Sequence, residues 1–251
     1  MIISDRYRFL FIHIPKTGGT SLNLALSPYG RMCERLAYQG SATPGVRRLL
    51  MMATGGDVVR KLTGFQAHAS YHHACEGLGA ERVKGLFSFA VTRNPFTRAV
   101  SYYRHCQRVA DHDEHDLAMR AGFSDFVLEL LERHREAFPP AKRFTQSQYV
   151  WNPETREIVV DALLSFERFS EDVREVETRL GLPKPLKLQT LNQAPRAAED
   201  IAALFGEALD PFVESLSDDF ERLGYSTDIS KLSEPPGRSS IYCQKVPLPE
   251  A

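Results

Sequence analysis

The run Tyr7-Arg-Phe-Leu-Phe-Ile-His-Ile14 is dense in aromatic and branched side chains and stops at Pro15. Such a run predicts a buried strand. Lys16-Thr-Gly-Gly-Thr-Ser21 follows as a tight polar loop, and Leu22, Leu24, Ala25 and Leu26 then suit one face of a helix that ends by Pro28. A strand, a glycine turn and a helix in that order are half of a βαβ unit. No other stretch commits the chain to a layered α/β fold as firmly.

A second unit of the same kind follows. Leu86–Thr92 predicts a strand, Arg93-Asn94-Pro95 a polar turn, and Phe96–Gln107 a helix with Val100 and Tyr103 on its apolar side. Lys61–Phe65 is expected to be a strand ending near His68, and Glu157–Phe166 to supply another buried one. Helical spacing is found at Arg47–Met52 (broken by Gly55-Gly56), Phe123–His134 (ended by Pro139-Pro140), Ser170–Leu180 (stopped at Gly181), Leu204–Leu209 and Phe212–Leu223. This alternation predicts a mostly parallel sheet, with the active crevice at the C-terminal ends of its strands. That edge would gather Pro15–Ser21, His68–Tyr71 and Arg93–Ser101. Residues 1–229 are expected to form a single domain and residues 230–251, which contain several prolines, a tail or irregular arm.

Composition narrows the function classes. The chain has 251 residues, a formal charge of −1, 43% apolar and 25% charged residues. These values exclude a disordered chain, a collagen and a coiled-coil rod. Near-zero net charge argues against a nucleic-acid binder but allows a local anion pocket. Phe9–Ile14 is too short and too closely flanked by charge for a signal peptide or a membrane span. No transmembrane segment is expected, and peripheral membrane contact stays open. Cys33, Cys75, Cys106 and Cys243 form no Cys-x-x-Cys pair, so neither a zinc knuckle nor a redox motif is indicated, and a cytoplasmic location is the simplest expectation.

The first loop carries the sharpest chemical signal. Gly18 and Gly19 allow close approach of an oxyanion to the backbone, and the helix start behind them favours negative charge. Lys16 adds positive charge, and Thr17, Thr20 and Ser21 add hydroxyls. The set matches a phosphate or phosphosulfate clamp; the plain alternative is a glycine-rich surface turn. It is not a Walker A loop, whose glycines precede the lysine. In the second loop Arg93 offers a planar fork of donors suited to phosphate, with Ser101 about two helical turns on. Arg98 suits an anion or an acidic neighbour. His68 has the pKa of a general base, with His72 and His73 as competitors and His13 expected to be packed near the loop. Asp111–Asp116 has metal-ligand residue types but reads as a hydrated loop. Phe138, Phe144, Tyr149 and Trp151 are aromatics to be packed or to line a cleft.

The segment Phe11-Ile-His-Ile-Pro-Lys-Thr-Gly-Gly-Thr-Ser-Leu22 resembles the 5′-phosphosulfate loop of bacterial and Golgi-type carbohydrate sulfotransferases. Val91-Thr-Arg-Asn-Pro-Phe-Thr-Arg-Ala-Val-Ser-Tyr102 resembles their 3′-phosphate segment, with Arg-Asn-Pro where Arg-Asp-Pro is usual. Phe166-Glu-Arg-Phe169, Leu191-Asn192 and Asp219-Phe220 through Gly224-Tyr225 resemble weaker signatures of the family. The resemblance implies a three-layer α/β/α, P-loop-NTPase-like fold. It also implies a sulfotransferase that uses 3′-phosphoadenosine 5′-phosphosulfate as donor and requires no metal. Lys16 would be catalytic, and Lys16, Thr17, Gly18, Gly19, Thr20, Ser21, Arg93 and Ser101 would bind the donor. His68, preceded by Ala67 where relatives have glycine, would be the base. The acceptor group would be a hydroxyl, with an amine as the alternative, on a carbohydrate, a lipid headgroup or another small molecule. An ATP-dependent kinase and a non-catalytic nucleotide- or carbohydrate-binding module are the competing readings.

Overall fold

The structure is a computed structural model and describes residues 1–39, 44–54, 57–135, 143–152, 154–188, 198–238 and 240–243. The elements begin with β1 (Ile2–Ser4), β2 (Phe9–Ile12), α1 (Gly19–Leu26), α2 (Met32–Gln39), α3 (Pro44–Thr54), α4 (Val58–Thr63), α5 (Tyr71–Leu78), α6 (Ala80–Lys84) and β3 (Phe87–Thr92). They continue with α7 (Pro95–Arg108), α8 (His115–Arg120), α9 (Phe123–Arg133), β4 (Ala162–Ser165), α10 (Phe169–Leu180), α11 (Ala198–Phe205), α12 (Leu209–Ser215) and α13 (Ser217–Leu223). Two compact units arise. One is drawn from Met1–Val91, Tyr149–Asn192 and Ser240–Ala251, the other from Thr92–Gln148 and Gln193–Ser239.

The first unit is an α/β fold around a mixed, mostly parallel four-stranded sheet in the order β1-β2-β3-β4. β2 runs parallel to β3, pairing Phe9 with Phe87 through Ile12 with Ala90. Every residue of β2 is buried, as a central strand covered on both faces requires. β1 is an additional antiparallel strand with Ile2 opposite Phe11. Its three residues are too few to show a period, so the pattern of the chain gives no sign of it. Ile241 accepts from the Leu163 N–H at 2.8 Å and the Cys243 N–H donates to Asp161 at 2.9 Å, so part of the proline-containing tail lies along β4. Phe9, Phe11, Leu22, Leu26, Phe89, Val91, Leu164, Phe169, Val173 and Val176 form one buried cluster that ties α1 and α10 to the sheet.

Two expectations are corrected. Residues Lys61–Phe65 are not a strand: Val58–Thr63 is helical. The Asp57 side chain accepts from the Arg60 N–H and Gly64 closes the helix at φ 81°. These caps at both ends outweigh a short apolar run. His68 therefore sits in a turn that leads into α5. Asp111–Asp116 is likewise not wholly a hydrated loop, because α8 begins at His115 and Glu114 is buried, paired with Arg133 and Arg143.

The second unit is helical around an aromatic core. Phe96, fully buried on the first turn of α7, has the rings of Phe205, Phe212 and Phe220 at 5.5, 5.9 and 5.0 Å. Phe144 and Phe123 extend the cluster through Phe212 and Phe205. Truncating a buried phenylalanine of this kind costs about 3–5 kcal/mol. The packing of Phe96 therefore fixes where α7 begins and, with it, the residues just before the helix.

Candidate functional site

Between β2 and α1 the chain turns in a strained conformation. Lys16 adopts φ 68° and Gly18 φ 84°. Glycine takes such a value freely, whereas a side-chain-bearing residue gives up about 1–2 kcal/mol. Left-handed backbone at a lysine is the kind of strain that marks functional loops. The Thr17 hydroxyl donates to the Ile14 carbonyl at 3.0 Å, and the Ser21 N–H donates to the Gly18 carbonyl at 3.2 Å. Thr17 and Ser21 are buried, while Thr20 is exposed. Gly18 precedes α1 without a side-chain cap, so the first-turn N–H groups keep their partial positive charge for an anion.

His13 is the keystone of this loop. It is buried, and its ring lies against the bare Cα of Gly19. A Cβ at position 19 would meet His13 Cδ2 at 2.2 Å and Nε2 at 2.7 Å. The Asn23 side-chain amide, on the next turn of α1, donates to His13 Nδ1 at 2.7 Å. The carbonyl oxygen of His13 is 3.0 Å from Nδ1 of His68, and the two imidazoles have their centroids 4.5 Å apart. A carbonyl oxygen only accepts, so Nδ1 of His68 carries a proton, which leaves Nε2 as the nitrogen that gains or loses one. His68 is exposed. One residue thus joins the glycine loop to the turn bearing the candidate base.

Burial holds the His13 imidazole well below its usual range, and the neighbouring His68, the Met1 amino group and Lys16 push the same way. The unfolded chain binds a proton at this position that the folded chain refuses. Stability is therefore complete above the ordinary pKa of about 6.5 and falls as the pH drops below it. One such proton gives a slope of at most about 1.4 kcal/mol per pH unit. His13→Gln is expected to remove this part of the acid sensitivity, measured by urea unfolding near about pH 5 and about pH 7. An acid limb as steep as that of the parent chain would refute the assignment.

The histidines after His68 have other partners. His73 Nδ1 and Ser70 close a reciprocal capping box at the start of α5. His72 lies 3.3 Å from Glu76 on the following turn. A cavity of about 370 Å³ borders this turn, lined by Arg60, Phe65, Gln66, Ala69, His73 and Glu76 among others.

In the second unit Arg93 is buried to within 7% of its surface. Its N–H donates to Gln146 Oε1 at 3.0 Å and its carbonyl accepts from Gln146 Nε2 at 2.8 Å. The backbone N–H groups of Gln146 and Ser147 both donate to the Asp219 carboxylate at 2.8 Å. Burial pushes the Asp219 carboxyl up, against these two bonds and the nearby Arg98. Arg93 Nε donates to the Thr97 hydroxyl at 3.0 Å. Thr97 and Ser101 are four residues apart on α7 and half-buried, so they share one face of the helix, and Arg93, which precedes the helix, reaches that face at Thr97. Asn94 Oδ1 accepts from the Phe96 N–H, so asparagine supplies the helix cap at this position. Arg98 is almost wholly buried and donates to the Phe144 carbonyl at 2.6 Å, which makes it a structural residue.

The first unit therefore brings together Lys16, Thr17, Gly18, Gly19, Thr20, Ser21 and His68 around His13, and the second sets Arg93 against Thr97, one helical turn before Ser101. Sequence reasoning did not find Asn23, Thr97 or Gln146, since an amide or a hydroxyl in a mixed polar run carries no pattern. Asn192 and Phe138 lie outside the described residues. Phe144 and Trp151 are buried packing residues. Among the described residues no group of three or more His, Cys, Asp or Glu side chains is arranged to hold a metal ion. No helix among them is long and apolar enough to cross a membrane.

A comparison with family models matches residues 1–225 to one described as the Sulfotransferase family. No curated protein and no solved structure matches the chain.

Proposed function

The chain belongs to the sulfotransferase family, and on that premise we propose that it transfers a sulfuryl group from 3′-phosphoadenosine 5′-phosphosulfate to a hydroxyl of a carbohydrate, lipid headgroup or other small molecule. The observation that carries the reading is the loop between β2 and α1. It has a lysine in left-handed backbone, two glycines, and a helix start with no side-chain cap. These features suit a phosphosulfate whose oxygens lie close against main-chain N–H groups. The three-layer, P-loop-NTPase-like arrangement belongs to the same reading. Further support comes from β2 and β3 being parallel neighbours.

In this mechanism the donor supplies the sulfuryl group. Gly18, Gly19, Thr20 and Ser21 bind the 5′-phosphate, and Thr17 braces the turn through the Ile14 carbonyl. Arg93 and Ser101 bind the 3′-phosphate, which an ATP-like nucleotide lacks. His68 accepts the acceptor's hydroxyl proton at Nε2, while Nδ1 stays tied to the His13 carbonyl. The acceptor oxygen forms its bond to sulfur as the bond from sulfur to the leaving phosphate oxygen breaks. Lys16 balances the negative charge that grows on that leaving oxygen, and so favours the transition state over the ground state. The cavity beside Gln66 and Ala69 is the acceptor region in this reading, large enough for a sugar-sized group.

The test is donor-dependent formation of 3′-phosphoadenosine 5′-phosphate with a panel of hydroxylated acceptors, read by mass analysis. Donor binding without turnover on any acceptor would point to a binding module, and ATP turnover with transfer of phosphate to a kinase. Arg93→Ala is expected to weaken donor binding about 10- to 100-fold, as befits loss of charge-assisted hydrogen bonds. Arg93→Lys is expected to recover only part, because an ammonium lacks the planar fork. Calorimetric titration with the desulfated nucleotide measures both, and parental affinity in Arg93→Ala would remove the arginine from the site.

A further inference from the structure

Eight large apolar side chains are conspicuously exposed among the described residues, and six of them fall between Met32 and Met52: Met32, Leu36, Val46, Leu49, Met51 and Met52. Met32, Leu49 and Met52 keep 73%, 67% and 75% of their surface. A grouping of this kind on one stretch of chain marks a surface built to meet something. On α2, Met32, Arg35 and Leu36 share one exposed face; on α3, Arg48, Leu49 and Met52 do the same. Both helices pack on α4, where Arg60 and Lys61 are exposed.

Charge identifies the occupant. Residues 31–63 contain six basic and two acidic residues, a net +4 in a chain whose total is −1. With both acids counted, Arg35, Arg48, Arg60 and Lys61 stand exposed. Glu34 is buried and bound to Arg31, and Asp57 caps α4. A second copy of the chain seated on this surface would set two such positive faces against each other, which disfavours self-association there. Long flexible apolar side chains interleaved with arginine and lysine suit a negatively charged bilayer surface, where the aliphatic groups enter the headgroup–acyl boundary and the cations meet lipid phosphates.

We propose that α2, α3 and α4 form a docking surface for an anionic lipid bilayer, with Met32, Leu36, Leu49 and Met52 inserting and Arg35, Arg48, Arg60 and Lys61 binding headgroup phosphates. Apart from Arg60, which also lines the cavity assigned to the acceptor, the surface is separate from the residues assigned to sulfuryl transfer, and the variants that test it leave Arg60 in place.

The full chain is co-sedimented with phosphatidylcholine vesicles that contain or lack phosphatidylglycerol, at low and high salt. Binding is expected with the anionic vesicles, weakly or not at all with phosphatidylcholine alone, and is expected to fall as salt is raised. The double variant Leu49→Ser, Met52→Ser is expected to lose partition at least about tenfold. Because both side chains are exposed, its melting temperature should stay with that of the parent chain. Arg35→Glu with Arg48→Glu should lose the salt-sensitive part of binding. Failure of the parent chain to bind anionic vesicles would overturn the proposal, as would equal binding by the serine variant. So would a dimer that the serine variant dissociates, or selective binding of an acidic protein in place of the vesicles.

Discussion

Lys16→Ala is expected to lower kcat about 100- to 1,000-fold, the usual effect of removing one preplaced group that stabilises transition-state charge. The loss should fall mainly on kcat. Charge on the leaving oxygen is small in the bound donor and large at the transition state, so the lysine discriminates between the two. The fold should tolerate the change, since Lys16 is only half-buried and alanine meets the same left-handed backbone that lysine already occupies at φ 68°. Initial rates of nucleotide product formation, with melting temperature as the control, separate chemistry from folding. A kcat equal to that of the parent chain would remove Lys16 from the reaction.

Gly19→Ala is expected to destabilise the first unit by about 2–3 kcal/mol, in the range of overpacked cores. Two effects compete at this position. Alanine is the better helix former by up to about 1 kcal/mol. Against that, the new Cβ would lie 2.2 Å from His13 Cδ2, a distance that atoms do not adopt. The imidazole cannot step aside cheaply, because it is buried and held at Nδ1 by the Asn23 amide. The overlap wins, and relieving it displaces His13, whose carbonyl holds His68. Turnover should therefore fall together with stability. Adding His13→Ala to Gly19→Ala should give a double variant more stable than the two separate losses would sum to. Urea unfolding of the four chains reads this coupling, and a Gly19→Ala protein as stable as its parent would refute the interlock.

The chain announces its two candidate loops more clearly than their supports. Phe9–Ile12 and Phe87–Thr92 are legible because apolar runs end abruptly in polar turns, and the turns themselves carry glycine, lysine and arginine. The region from 58 to 65 is misleading, because a few apolar residues fit a strand and a helix equally well until Asp57 and Gly64 are seen to cap it. His13 is legible as a packed histidine. Its contact with Gly19 is not, because it depends on how closely a helix start approaches a strand. The group behind Arg93 is least visible. Asp219 lies 73 residues from Gln146 in sequence, and nothing in either neighbourhood announces the other.

Gln146 gives the backbone of Arg93 what a neighbouring strand would give, one donor and one acceptor from a single buried amide. Asp219 in turn fixes the main chain of Gln146. The main chain of this arginine is thus immobilised when the protein folds, before any ligand arrives. In the reading proposed above, binding at this position starts from a preorganised main chain, with little backbone freedom left to surrender on association.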